Sequence, residues 1–457
     1  MYPQNAYNLI SEIADDKLAE LENILKEIQK DVEDNLYFSF SKIQTIHFAR
    51  FVILDAVKDS TGKIIYPAYL AFESNYDGAL DNHLTDIVKN TKDNNGFDGI
   101  FCACKSFPTK VTLTDKDRIN FLKTDSQYHP YFYRGTWGRT VLQIKAEQQT
   151  RTEIQDYLNK TPQLRTKSDK EIYNQIKQNV TLSTSSTQYP PTPSSLSWVF
   201  IFIIPIALGL LYGILYPPYY LVSFITGWHV KVMLPLVLHF LIISVTLLVI
   251  IIAFILYKLL RHKEETDEEL DKSYDPNPET GTLKTLEDRI VQNQLTHLVE
   301  LKDGSFRFLL LKMVLFLVEM LGIYKFNKGE LGGIPSIHFA RWIIIDRGKR
   351  VLFYSNFDGS WENYLGDFID RAAVGLTAVW SNTKLFPKAK NLFQEGATDE
   401  QKFKSWTRMH QITTQVWYSA YKNLTVENVN NNTAIQEGLK KATPMTDKEL
   451  KDWLLKL

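Results

Sequence analysis

A short set of histidine, arginine, asparagine and aspartate residues occurs twice in this chain, at matching places, and their chemistry needs explaining first. His338 and Arg341 lie in IHFARWIIID (337–346), Asn356 and Asp358 in SNFDG (355–359), and His410 stands further on. Each has a counterpart: His47 and Arg50 in IHFARFVILD (46–55), Asn75 and Asp77 in SNYDG (74–78), and His129. Imidazole offers a ligand atom or a general base near neutral pH. A guanidinium set among apolar strand residues requires an anion, either a structural carboxylate such as Asp86 or Asp367 or a bound one. The Asp-Gly pairs suit a cap on the helix that follows, with Asn75 and Asn356 fixing the turn or reaching a ligand. His338, Arg341, Asn356, Asp358 and His410 are the candidate ligand-binding residues. No catalytic set is complete.

Strand alternation limits how these residues work together. In a regular strand His47 shares a face with Ala49, Phe51 and Ile53, whereas Arg50 shares the other with Phe48, Val52 and Leu54. His338 and Arg341 divide in the same way, so without a bulge the two groups serve opposite sides of a sheet. Both sides are apolar, which predicts strands buried on both faces.

The elements that position these residues repeat as well. An amphipathic helix over 14–29 leads to strands over 46–55 and 66–73, a helix over 79–89, a segment GFDGIFCACKSFP (96–108), a polar helix over 115–123, a third strand within 131–145 and a short helix over 153–159. The order recurs through 337–346, 355–359 and GLTAVWSNTKLFP (375–387), without a gap in the last pair. This is the pattern of duplication and fusion. Between the copies, 198–215 and 234–257 are apolar runs free of charged residues, each close to the roughly 20 residues that span hydrocarbon. They predict a transmembrane hairpin whose turn starts at Tyr216-Pro217-Pro218. Arg261, His262 and Lys263 follow the second run, which favours cytoplasmic flanks and a bacterial inner membrane protein. The N-terminus has no basic start and apolar core of the kind a secretory signal carries.

The expected boundaries are a first α+β repeat (1–178), a Ser/Thr/Pro-rich linker (179–196), the hairpin (197–260), a charged linker (261–305), an interfacial helix (306–324) and a second repeat (325–457). The helix over 306–324 is apolar apart from Arg307, Lys312 and Glu319, which suits a segment lying at the bilayer surface.

Composition excludes several classes. With 52 basic and 52 acidic residues there is no electrostatic case for a nucleic-acid partner. Two cysteines, Cys102 and Cys104, align with Ser381 and Thr383 of the other copy; they suit a reducing compartment and close no zinc site unaided. Phosphate-binding glycine loops, HExxH and GxSxG motifs are lacking. The second copy holds the denser aromatic set, Trp361, Trp380, Trp406, Trp417, Tyr418 and Tyr421, which makes it the expected site.

The element order, the duplication and the IHFAR and SN(Y/F)DG motifs resemble the dimeric α+β barrel superfamily, which includes dye-decolorising peroxidases and chlorite-dismutase-like haem proteins. That resemblance implies an α+β fold of two ferredoxin-like domains pairing as a pseudo-dimeric barrel, with the hairpin inserted. It also implies a haem, held by a histidine with Asp358 and Arg341 beside it. The same motifs look like those of uncharacterised bacterial membrane proteins. Three functions follow: a membrane-tethered module that binds a partner or a lipophilic or anionic small molecule, a haem-dependent or other oxidoreductase with its site in the second repeat, and, third, a transporter or channel, which two spans form only by oligomerising.

Overall fold

The computed structural model describes residues 4–91, 93–110, 112–125, 130–182, 204–226, 236–270, 287, 289–327 and 329–457. Its main strands are β1 (Gln4–Glu12), β2 (Ile46–Leu54), β3 (Tyr69–Asp77), β4 (Pro130–Arg134), β5 (Gln292–Glu300), β6 (Ile337–Ile345), β7 (Arg350–Asp358) and β8 (Val416–Ser419). They form two antiparallel four-stranded sheets, ordered β1-β3-β2-β8 and β4-β6-β7-β5. Each sheet takes its last strand from the other half of the chain. β8 pairs with β2, and β4 pairs with β6.

The helices are α1 (Leu18–Lys30), α2 (Leu80–Asn90), α3 (Asp93–Phe101), α4 (Asp115–Thr124), α5 (Val141–Lys160), α6 (Asp169–Asn179), α7 (Ile204–Thr226), α8 (Leu236–Thr266), α9 (Ser305–Tyr324), α10 (Trp361–Trp380), α11 (Glu400–Met409), α12 (Val426–Lys440) and α13 (Asp447–Leu454). The fold is α+β, with helices outside and sheets inside. Ile46, Ala49, Phe51 and Ile53 of β2 point outward into a core shared with α1, α2 and α4, and the matching face of the second sheet packs under α9, α10 and α11. The opposite faces meet each other through Val52, Leu54, Ile343, Leu352 and Tyr354, and through Phe48, Phe132 and Phe339. Each apolar side chain sealed in these layers contributes roughly 1.5–3 kcal/mol, which explains why both strand faces carry apolar residues.

Several elements differ from their expected form. β1 and β5 were not legible: QNAYNLISE and QNQLTHLVE are too polar to stand out, and β5 lies within the expected charged linker. Buried Gln4, Asn8, Gln292, Asn293 and Thr296 account for that polarity. The strand sought within 131–145 ends at Arg134, and the short helix over 153–159 is the end of the 20-residue α5. His129, most of the Ser/Thr/Pro-rich linker and residues 271–286 of the charged linker lie outside the described residues.

Two helices are long and apolar enough to cross a membrane, Ile206–Thr226 and Phe240–Thr266. Pro217 and Pro218 lie inside α7 and do not start the turn, which falls outside the described residues. In a helix pair such prolines are tolerated because neighbouring groups re-satisfy the freed carbonyls. The two helices pack closely at Gly213, where an added Cβ would stand 2.1 Å from the Thr246 hydroxyl. α8 does not end at a solvated link. Leu260 is buried in the core of the second sheet, the Tyr257 hydroxyl bonds Asn391 at 3.2 Å, and Glu264 accepts the backbone N–H groups of Asn391 and Leu392 at 3.0 and 2.7 Å.

Candidate functional site

The space between the sheets gathers four of the five candidate residues. β2 and β6 each carry a register shift at the histidine, between Ile46 and Phe48 and between Ile337 and Phe339. A bulge inserts one residue and restores His47 to the side of Arg50, and His338 to the side of Arg341. His47 packs against Phe339 and Tyr421, and His338 against Phe48 and Tyr421. Histidine and arginine of each motif therefore face the opposite sheet together.

The arginines cross-brace the halves. Arg50 donates from Nη1 to the Leu295 carbonyl (3.0 Å) and Thr296 Oγ1 (3.2 Å), and from Nη2 to the Ser355 carbonyl (3.1 Å) and Asn356 Oδ1 (2.7 Å). Arg341 does the same in the other direction. Its Nη1 donates to the Tyr7 carbonyl (2.9 Å) and Asn8 Oδ1 (2.7 Å), and its Nη2 to the Ser74 carbonyl (3.1 Å) and Asn75 Oδ1. The anion both require is Glu73, not Asp86 or Asp367. Glu73 Oε1 lies 2.5 Å from Arg50 Nε and its Oε2 2.7 Å from Arg341 Nη2, and all three side chains are buried. Burial depresses the Arg341 pKa, opposed by Glu73.

The histidines are held as firmly. Asp358 takes His338 Nε2 at 2.7 Å on one oxygen and the Val426 backbone N–H at 2.7 Å on the other; Asp77 takes His47 Nε2 at 2.9 Å and the Val141 N–H at 2.8 Å. Each aspartate thus caps a helix, but α12 and α5 rather than the helix that follows it in sequence. Ser360 caps α10 instead. The Tyr421 hydroxyl lies 2.8 Å from His47 Nδ1. The Tyr421 hydroxyl is the side-chain group bonded to this His–Asp pair on the other ring nitrogen. A haem needs an open imidazole nitrogen with a broad void beyond it. His338 Nε2 already faces Asp358; its Nδ1 has no hydrogen-bond partner among the described residues, but Phe48 packs on the ring and, with Phe132 and Phe339, fills the space between the sheets, so these residues do not fit the group.

His410 stands apart, on the rim of an open cleft of about 800 Å³. Its Nδ1 lies 2.9 Å from the Trp406 carbonyl, and burial lowers its pKa. The cleft runs between the end of α8, the turn from β5 into α9, and β7. Its charged lining includes Lys263, Lys302, Arg307 and Arg350. Of these four, Lys263 stood out in the sequence as part of the basic group after the second apolar run and Arg307 as a charge in an apolar helix; Lys302 and Arg350 did not. A second, almost wholly apolar groove of about 390 Å³ lies between α9 and α10, lined by Met313, Leu317, Leu321, Val374 and Phe393.

Among the described residues no group of three His, Cys, Asp or Glu side chains is placed to hold a metal. Burial pushes the Cys104 thiol up to about 12, which leaves it unreactive. The aromatic set of the second half is largely core: Trp361, Trp380 and Trp406 pack under the second sheet.

No family model matches the chain, and neither a curated protein nor a solved structure matches it.

Proposed function

We propose that this chain is a membrane-anchored binding module without chemistry of its own, built from two duplicated ferredoxin-like halves that pair as a pseudo-dimeric α+β barrel. α7 and α8 form its transmembrane hairpin, and both halves face the cytoplasm of a bacterial inner membrane.

The observation that carries this reading is the rigid seat of α8 on the second half. Asn391 bonds Tyr257 within the apolar run, and Phe393, two residues on, is exposed beside the α9 groove. α9 turns Leu309, Met313, Phe316, Leu317 and Leu321 outward, all 45–62% exposed, along one helical stripe. A stripe of this size, continuous with the end of a span, matches a surface meant for lipid. The membrane-proximal cleft is the candidate binding site of this body, and the motif residues between the sheets keep its two halves in register.

The test is lipid contact at α9. In a Cys102→Ala/Cys104→Ala background reconstituted in vesicles, a fluorophore on Met313→Cys is quenched by brominated lipids, and one on Lys116→Cys is not. Equal, weak quenching at both positions defeats the reading.

A further inference from the structure

We propose that the cleft at the N-terminus of α9 binds a phosphate-type oxyanion, with Lys263, Lys302, Arg307 and the first backbone N–H groups of α9 as its donors. α9 is 20 residues long and starts at Gly304, which has φ 101° and no side chain to cap the helix. The first N–H groups and the positive end of the helix dipole are therefore left for an external acceptor.

A second, independent observation points to the same ligand. Arg307 lines the cleft at 1% exposure, and among the described residues its Nε and Nη1 have no hydrogen-bond partner. Its Nη2 pairs with Asp267, the same carboxylate that Lys302 Nζ contacts at 2.7 Å. Asp267 is thus shared by two cations, and the nearby Glu264 is taken up by Arg261 and the backbone N–H groups of Asn391 and Leu392. Burial lowers the pKa of both Lys302 and Arg307, a penalty that a bound anion offsets. Arg350, on the other wall, is 2% exposed and stacks on Tyr66; its Nε pairs with Asp346, and its Nη2 has no hydrogen-bond partner among the described residues. Lys263 reaches in from the last turns of α8, its Nζ 4.0 Å from where a Cβ on Gly304 would stand.

The lining also carries Glu268, Glu300 and Asp303, of which Glu300 pairs with Lys384 at 2.7 Å and Asp303 with Lys349 at 3.4 Å. The unpartnered buried atoms of the described lining are nonetheless all donors, which selects a ligand made of acceptors. The volume exceeds that of one phosphate and leaves room for the group it is attached to. Lys263 lies three residues beyond Leu260, where α8 enters the second half, so a phosphorylated lipid headgroup is one source and a soluble phosphate compound the other. The lipid source rests on the membrane-anchored reading.

The experiment is ³¹P NMR line broadening on the full chain in detergent, titrated with inorganic phosphate and, separately, with short-chain phosphatidic acid. Saturable broadening is expected, weakened about tenfold or more in Lys263→Gln and in Arg307→Met, the loss of one charge-assisted contact. Lys263→Gln keeps the test decisive if Arg307→Met does not fold, because Lys263 is partly exposed and outside the core. Tighter binding of phosphatidic acid supports the headgroup, and equal affinities support a soluble phosphate compound. Absence of saturable broadening with either probe in the folded wild type, or unchanged affinity in Lys263→Gln, overturns the site. Phosphate binding without lipid quenching at Met313 separates failure of the membrane reading from failure of this one.

Discussion

The centres of the two halves share nearly every group except one. Arg50 stands across from Glu73 in the first sheet, and Arg341 stands across from Tyr354 at the same place in the second. The serine carbonyls, the asparagines Asn75 and Asn356, and the aspartates Asp77 and Asp358 all do matching work. Only the carboxylate is single. A buried interface tolerates two guanidinia around one carboxylate when carbonyl and amide oxygens take up the other N–H groups, as they do here on both sides. The Tyr354 ring, 5.0 Å from the Arg50 guanidinium, gives a weaker attraction where a second carboxylate would otherwise stand.

That difference predicts unequal costs at equivalent positions. Glu73→Gln leaves two buried arginines without an anion and should cost about 3–5 kcal/mol in chemical unfolding of the full chain in detergent. A loss below about 1 kcal/mol would show that the neutral oxygens suffice, and the asymmetry would then lose its energetic meaning.

A second contrast lies behind the sheets. In the first half His83 stacks on Tyr76 at 3.8 Å and lies 2.7 Å from Ser74; in the second, Tyr364 stacks on Phe357 at 3.8 Å and bonds Ser355 at 2.7 Å. Burial depresses the His83 pKa to about 3. The unfolded chain takes up this proton as pH falls below about 6.5, and the native state refuses it until about 3. The contribution is complete above pH 6.5 and is lost as pH falls from 6.5 toward 3, on the order of a few kcal/mol. His83→Phe should flatten stability across that window. His297, buried in the second half with its pKa also depressed by burial and next by His410, contributes to the acid sensitivity that remains.

Smaller effects test where the halves are alike. Asp77→Asn and Asp358→Asn should each cost about 1–2 kcal/mol, since each removes one charged helix cap and one histidine partner. Clearly unequal losses would mean that Tyr421, which bonds His47 alone, redistributes the load. Tyr354→Phe should leave stability unchanged or raise it by up to about 1 kcal/mol, because the buried hydroxyl it deletes has no hydrogen-bond partner among the described residues.

The sequence determined what local pattern can determine. IHFAR and SN(Y/F)DG marked strands buried on both faces, and the apolar runs marked two helices long enough for a bilayer. The demand of Arg341 for an anion was legible too, since a guanidinium among apolar residues requires one. Tertiary structure alone decided which anion it finds. Glu73 lies 268 residues away and reaches Arg341 only because the sheets face each other. The bulges at His47 and His338 were equally hidden, because an inserted residue changes hydrogen bonding across strands and leaves no trace in composition. So too with Asp77 and Asp358, which read as caps for the next helix and in fact cap α5 and α12. A carboxylate accepts whichever free N–H groups packing brings to it, and sequence distance carries no information about that.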